Sequence, residues 1–210
     1  MSEPDLELVT AWQRYIASDQ RLLDALLGRH REKHRRYHTA AHVRWVIRHV
    51  EEITAEHPAD HRDEVVAAAF YHDAVYEPAY PANERASARL ARRDLAACGW
   101  DDERAERVGA MIEATAHMAN ASGAPRLGDT AILLDADLAI LGADPAAYSA
   151  YVAGVRSEYR HLDDAEWADG RADVLRGFLD RPAIFLTAPA AQWWEARARA
   201  NLSAELATLG

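Results

Sequence analysis

Several ionisable side chains in this sequence sit inside apolar runs, where they need a partner or a task. The run Val65-Val66-Ala67-Ala68-Ala69-Phe70-Tyr71-His72-Asp73-Ala74-Val75-Tyr76 is core-like throughout, yet carries a His-Asp pair. An unpaired buried carboxylate costs several kcal/mol, so His72 and Asp73 are either paired to other side chains or bound to a metal. A second apolar run, residues 132–141, contains Asp135 and Asp137. Positions two apart on a helix point to nearly opposite sides, so at most one of them faces a shared ion directly. The other supports it, caps a neighbouring helix or meets solvent. His38 and His42 are four apart and share a helix face. Two such histidines bind one metal, or one binds while the other does acid–base work, or they are simply two partly exposed residues of the ten in the chain. Glu113 and His117 have the same spacing, and a histidine near a helix end often meets the last carbonyls instead of a metal.

The elements that must position these groups read as helices. Apolar residues recur at helical spacing, Pro and Gly fall between the periodic segments, and no alternating strand pattern is present. Helices are expected over residues 5–27, 37–55, 62–76, 83–98, 103–117, 129–141, 145–161, 164–179 and 190–209. Gly99 and Gly142 act as stops, Asp144-Pro145 as an N-cap with Pro at the first helical position, residues 120–128 as a loop and 183–187 as a short extended piece at most. The expected fold is all-α, a bundle of about eight or nine helices. The chain is expected to form one domain: an N-terminal helix over 1–28, a core over 30–141 and C-terminal helices over 145–210.

Composition narrows the function classes. The chain has 210 residues, half of them hydrophobic, and a formal net charge of −10. So acidic a protein is a poor non-specific ligand for nucleic acid or anionic membrane, although a metal and a few arginines still bind a small anion locally. The single cysteine, Cys98, cannot form an internal disulfide. It reads as a small buried hydrophobe. The acidic start at Met1–Asp5 does not resemble a signal peptide, and no apolar stretch approaches the roughly 20 residues that span a bilayer. The expectation is a cytoplasmic protein with no nucleic-acid or membrane partner. Residual exposed apolar area would support a homodimer, and Trp193 and Trp194 read as core or interface anchors.

Taken in order, His42, His72-Asp73 and an aspartate of the 132–141 run resemble the HD superfamily of metal-dependent phosphohydrolases. The strings that carry the likeness are Tyr37-His38-Thr39-Ala40-Ala41-His42, Phe70-Tyr71-His72-Asp73 and Ala136-Asp137-Leu138. A bacterial subfamily of HD phosphohydrolases with undefined substrate is similar over most of the chain from about residue 30. Its pattern recurs in Asn83-Glu84-Arg85-Ala86-Ser87-Ala88, Arg156-Ser157-Glu158-Tyr159, Gly170-Arg171 and Ala198-Arg199-Ala200-Asn201-Leu202. The resemblance implies an HD-domain-like bundle in which His42, His72, Asp73 and Asp137 bind a divalent metal. Asp137 is preferred to Asp135 through the family's late Ala-Asp-x-Leu string. The Tyr-His-x-x-x-His string is also similar to that of cyclic-nucleotide phosphodiesterases, which makes His38 a candidate general acid. Glu84 is the candidate catalytic carboxylate.

Two imidazoles and two carboxylates suit Mn²⁺, Co²⁺, Ni²⁺, Fe²⁺ or Zn²⁺. The expected activity is hydrolysis of a phosphoester, of a nucleotide or another small phosphorylated metabolite, by a metal-activated water. Asp73 would hold the metal and take part in catalysis, and His38 or Glu84 would protonate the leaving oxygen. Arg36, Arg156, Arg171 and His117 are candidates for binding the phosphorylated substrate, with surface salt bridges as the alternative for the arginines. An HD-type diiron oxygenase needs two more histidines between His72-Asp73 and the late aspartate, and only His117 lies there. That favours one metal, or a second held mostly by water. The alternatives are that oxygenase, a non-catalytic nucleotide-binding module, and a core in which the His and Asp groups merely pair.

Overall fold

A computed structural model describes residues 3–78, 80, 82–116 and 128–209. Among the described residues the protein is all-helical, with ten α-helices, one 3-10 turn and no strand. The helices are α1 (Glu3–Tyr15), α2 (Gln20–Arg29), α3 (Ala40–Glu56), α4 (Arg62–Tyr71), α5 (Asn83–Ala97), α6 (Asp102–Ala114), α7 (Asp129–Leu138), α8 (Pro145–Glu158), α9 (Asp164–Leu179) and α10 (Ala188–Leu209). The 3-10 turn, Ala139–Gly142, follows α7 directly. The expected loop at 120–128 and His117 lie outside the described residues, apart from Gly128.

Helix α4 is the centre of the bundle. Every residue from Val65 to Tyr71 is inaccessible to solvent, and the helix packs against α1, α3, α5, α6 and α7. A helix surrounded on all sides needs no polar face, which is why this segment carries an apolar run and no 3.6-residue stripe. The buried hydrophobic residues, from Leu8 to Leu202, form one contiguous core. No single helix among the described residues is long and apolar enough to cross a membrane.

Several expected helix boundaries move, three of them for a traceable reason. The first expected helix is two, because the Asp19 carboxylate accepts from the backbone N–H groups of Arg21 and Leu22 and starts a new helix. Helix α3 begins at Ala40 instead of residue 37, because the backbone of Thr39 before it is extended (φ −108°, ψ 179°). The N–H groups of Arg36, Tyr37 and His38 are taken by the carboxylate of Glu158 at 2.6, 2.8 and 3.1 Å. Helix α4 stops at Tyr71 instead of residue 76. There the buried guanidinium of Arg35 donates to the carbonyls of Asp73 (2.7 Å) and Ala74 (3.3 Å), and to that of His38 (3.0 Å). Carbonyls at a helix end need outside donors, and a buried cation supplies three at once. The segment 183–187 forms no strand: Glu195 accepts from the N–H groups of Ile184 and Phe185, and Asp135 from those of Leu186 and Thr187.

The C-terminal half locks onto the turn after α7. A Cβ at Gly142 would fall 2.4 Å from the Cβ of Trp194, so only glycine lets α10 approach this closely. Asn201 then donates to the carbonyls of Leu141 and Ala143 at 2.8 and 3.0 Å. Helix α9 keeps its expected limits because Asp163 and Glu166 form a reciprocal capping box.

Candidate metal centre

Helices α3, α4 and α7 pack pairwise against one another, and each delivers part of one cluster. His42 comes from the first turn of α3, His72 is the C-cap of α4 with Asp73 beside it, and Asp137 lies near the end of α7. His42 Nε2 lies 3.1 Å from His72 Nε2, 3.5 Å from Asp73 Oδ2 and 3.2 Å from Asp137 Oδ1. His72 Nε2 lies 3.2 Å from Asp73 Oδ2 and 3.5 Å from Asp137 Oδ1. Ligand bonds of about 2.0–2.2 Å to a common centre give neighbouring-ligand separations of about 2.8–3.6 Å for octahedral and tetrahedral arrangements. All five separations fall in that range. His42, His72 and Asp73 thus form a group able to hold a metal ion, and Asp137 faces the same point.

The donor chemistry fits a divalent cation. His72 Nδ1 lies 2.9 Å from the carbonyl of Ala69, which fixes the proton on Nδ1 and leaves the Nε2 lone pair facing the cluster. Both histidines are buried, and two carboxylates in such a place need compensating positive charge. Burial pulls the basicity of His42 down. For His72 burial acts the same way, but the Asp73 and Asp137 carboxylates outweigh it and hold the group well above its ordinary value. Asp73 is held below the usual carboxylate range: burial opposes this, and the surrounding imidazoles of His72 and His38 prevail.

The two aspartates of α7 have different duties. Asp137 faces the cluster. Asp135 is inaccessible to solvent and accepts from Leu186 N–H (2.8 Å) and Thr187 N–H (2.7 Å), the groups that lead into α10. Burial pushes the Asp135 carboxyl up to about 6, against those backbone bonds.

Beside the cluster stands His38, whose Nδ1 lies 2.7 Å from Glu158 Oε2. The same oxygen accepts from the Tyr76 hydroxyl at 3.0 Å. Burial raises the Glu158 carboxyl, but the His38 side chain and the backbone N–H groups of Arg36 and Tyr37 bring it down to about 2. Burial likewise opposes a charge on His38, and Asp73 with Glu158 more than offsets it, so His38 is raised. Glu158 and Arg35, which hold the His38 and Asp73 backbones, are not among the candidate residues read from the sequence, although Glu158 falls within one of the family-like strings.

The cluster opens on a cavity of about 560 Å³ whose wall includes His38, His72, Asp73, Glu84 and Asp137. Of the three candidate arginines, Arg171 alone lines it. The Arg36 guanidinium donates to the carbonyls of Lys33 and Arg35 at 2.6 and 2.8 Å. Arg156 donates to the carbonyls of Tyr159 and Leu162 and to Asp164, so it ties down the turn between α8 and α9. Glu113 pairs with Arg92 at 2.9 Å. Glu84 has neighbours with clear tasks: Asn83 brackets the backbone of Glu77 from both sides, and Ser87 does the same for Val75. The motif around Glu84 therefore secures the chain that leaves the His-Asp turn.

Comparison with family models, with curated proteins and with solved structures finds no match for this chain.

Proposed function

We propose that the protein is a metal-dependent phosphohydrolase of the HD type. One observation carries the reading: in the order of the HD motif, the His42 and His72 Nε2 atoms lie 3.1 Å apart and each lies 3.2–3.5 Å from a carboxylate oxygen of Asp73 and of Asp137, and His72, Asp73 and Asp137 line a cavity. A divalent cation held there would supply Lewis acidity, polarising a phosphoryl oxygen and acidifying a water. The remaining duties fall to the chain itself. His38, held through Nδ1 by Glu158, presents its other nitrogen as the proton donor to the leaving oxygen. Tyr76, bonded to the same carboxylate, limits rotation of the dyad. Arg35 fixes the carbonyl of Asp73 and so the direction of its side chain.

The test combines elemental analysis of protein purified without chelator with a hydrolysis screen across Mn²⁺, Co²⁺, Ni²⁺, Fe²⁺ and Zn²⁺. One divalent ion per chain, metal-dependent release of phosphate, and loss of both in a still helical Asp73→Ala variant support the reading. Undiminished hydrolysis by a metal-free Asp73→Ala protein, or tight ligand binding with no turnover under any metal, overturns it.

A further inference from the structure

The charge on the cavity wall differs from what a polyphosphate pocket requires. Each phosphoryl group beyond the first adds negative charge, and charge-assisted bonds from Lys or Arg hold such charge most strongly. Among the described residues that line the cavity, Arg171 is the one Lys or Arg. That guanidinium is 7% exposed and is already committed, donating to both oxygens of Glu205 at 2.8 and 3.0 Å and to the Tyr151 hydroxyl at 3.1 Å. Four carboxylates line the same cavity: Asp73 and Asp137 at the cluster, and Glu84 and Glu166 elsewhere. Glu166 is fixed by its bond from Asp163 N–H at 3.0 Å. Much of the remaining wall is apolar or aromatic, with Leu138, Leu141, Val155, Val174 and Phe178 among its residues. Trp167 adds a ring beside Tyr159, with centroids 5.8 Å apart.

We infer that the ligand of this cavity carries a single phosphoryl group, seated at the His42–His72–Asp73–Asp137 cluster, on an uncharged aromatic or aliphatic body that lies against the α8–α9 wall. The ligand is therefore a phosphomonoester and not a nucleoside triphosphate or an inorganic polyphosphate. This rests on the phosphohydrolase reading for the reaction, though the charge balance of the wall stands independently of turnover. In the hydrolysis, the oxygen of water bonds to phosphorus and the ester P–O bond breaks. The leaving oxygen takes up a proton, so a neutral alcohol or phenol is released against the apolar and aromatic part of the wall. An additional phosphate would instead meet Glu84 and Glu166, with no Lys or Arg besides Arg171 among the described lining residues, and burying unpaired charge is unfavourable. The cavity volume suits a body of small-molecule size.

Binding separates this inference from turnover. The full chain, loaded with Mn²⁺ at a buffered free concentration, is titrated calorimetrically with benzylphosphonate, methylphosphonate and tripolyphosphate, none of which is a phosphomonoester. Benzylphosphonate is expected to bind at least tenfold more tightly than either of the others. The Val174→Lys variant, checked for helicity by circular dichroism, is expected to narrow the preference over tripolyphosphate at least threefold. Tripolyphosphate or methylphosphonate binding as tightly as benzylphosphonate overturns the inference, as does a folded Val174→Lys protein with an unchanged preference, or no binding of any of the three. Phenyl phosphate turnover is read separately. Benzylphosphonate selectivity without turnover removes the phosphohydrolase reading and leaves the ligand class, whereas turnover with a preference for tripolyphosphate does the reverse.

Discussion

The carboxylate of Glu158 holds His38 at both ends of its residue, accepting its backbone N–H at 3.1 Å through one oxygen and facing its Nδ1 at 2.7 Å through the other. The partners are 120 residues apart in sequence. The contact ties the C-terminal end of α8 to the start of α3, where the first cluster histidine sits. It also takes the N–H groups of all three residues 36–38, just ahead of the extended Thr39 that caps α3.

Replacing Glu158 by Gln keeps the shape and removes the charge that favours a protonated His38. On the phosphohydrolase reading, kcat falls by about 10²-fold or more, within the range ascribed to a lost general acid. Bound metal stays at the wild-type level, because His38 is not one of the four converging ligands. Steady-state kinetics beside elemental analysis reads both quantities. Loss of metal together with activity would assign Glu158 to shaping the ligand set instead of the proton donor.

Asp135 and Asp137 separate by experiment as they do by geometry. Asp137→Asn lowers metal occupancy and leaves the thermal transition of the metal-free protein near that of the parent. Asp135→Ala leaves the N–H groups of Leu186 and Thr187 without their acceptor. A buried donor left unsatisfied costs about 1–3 kcal/mol, so this variant melts lower and still binds metal. Metal titration and melting curves on both variants decide. A metal-free Asp135→Ala protein of normal stability would reverse the assignment.

Much of this arrangement follows from local pattern, and the rest from contacts no local window contains. Helix α9 is legible because its cap residues, Asp163 and Glu166, lie next to the turns they close. The anomaly of charged groups in the runs around His72 and Asp137 is legible because apolar neighbours alone define it. The end of α4 is not, since Arg35, which takes the carbonyls of Asp73 and Ala74, lies 38 and 39 residues earlier. The two duties of Asp135 and Asp137 are separable from helical geometry, but which one caps α10 depends on where residues 186–187 return. Arg36 and Arg156 illustrate the opposite error: a basic side chain near site residues in sequence spends its donors on backbone carbonyls.

Arg35→Lys tests whether the end of α4 needs a fork of donors or only a positive charge. The guanidinium reaches three carbonyls, those of His38, Asp73 and Ala74, from a buried position. A lysine has a compact head on a flexible stem and cannot reproduce this planar pattern. With at least one carbonyl orphaned, stability falls by about 1–3 kcal/mol. The Asp73 backbone loosens, so metal affinity falls as well. Urea denaturation and metal titration measure the two effects, and a variant equal to the parent in both would show that charge alone suffices.

His30 gives the fold an acid sensitivity separate from the cluster. It is almost wholly buried, and its Nε2 lies 3.2 Å from the carbonyl of Phe70, the acceptor that requires a proton on that nitrogen. Its Nδ1 is buried without a hydrogen-bond partner among the described residues. Burial foremost, with the Arg35 guanidinium and His72 adding to it and Asp73 opposing, brings its pKa down to about 3. An unfolded histidine titrates near 6.5. Above about pH 6.5 both states are neutral at this residue and it imposes no acid penalty. As pH falls below that value the unfolded chain takes up a proton that the folded chain refuses, so stability declines until pH reaches about 3. Each pH unit inside this window costs about 1.4 kcal/mol. His30→Gln retains an N–H donor for Phe70 and has no titration there. Urea unfolding at pH 7 and pH 5 is therefore expected to show a loss for the parent that exceeds the variant's by about 2 kcal/mol, whatever the variant's absolute stability. Parallel losses in the two proteins would show that His30 is protonated in the folded state and that its site admits water.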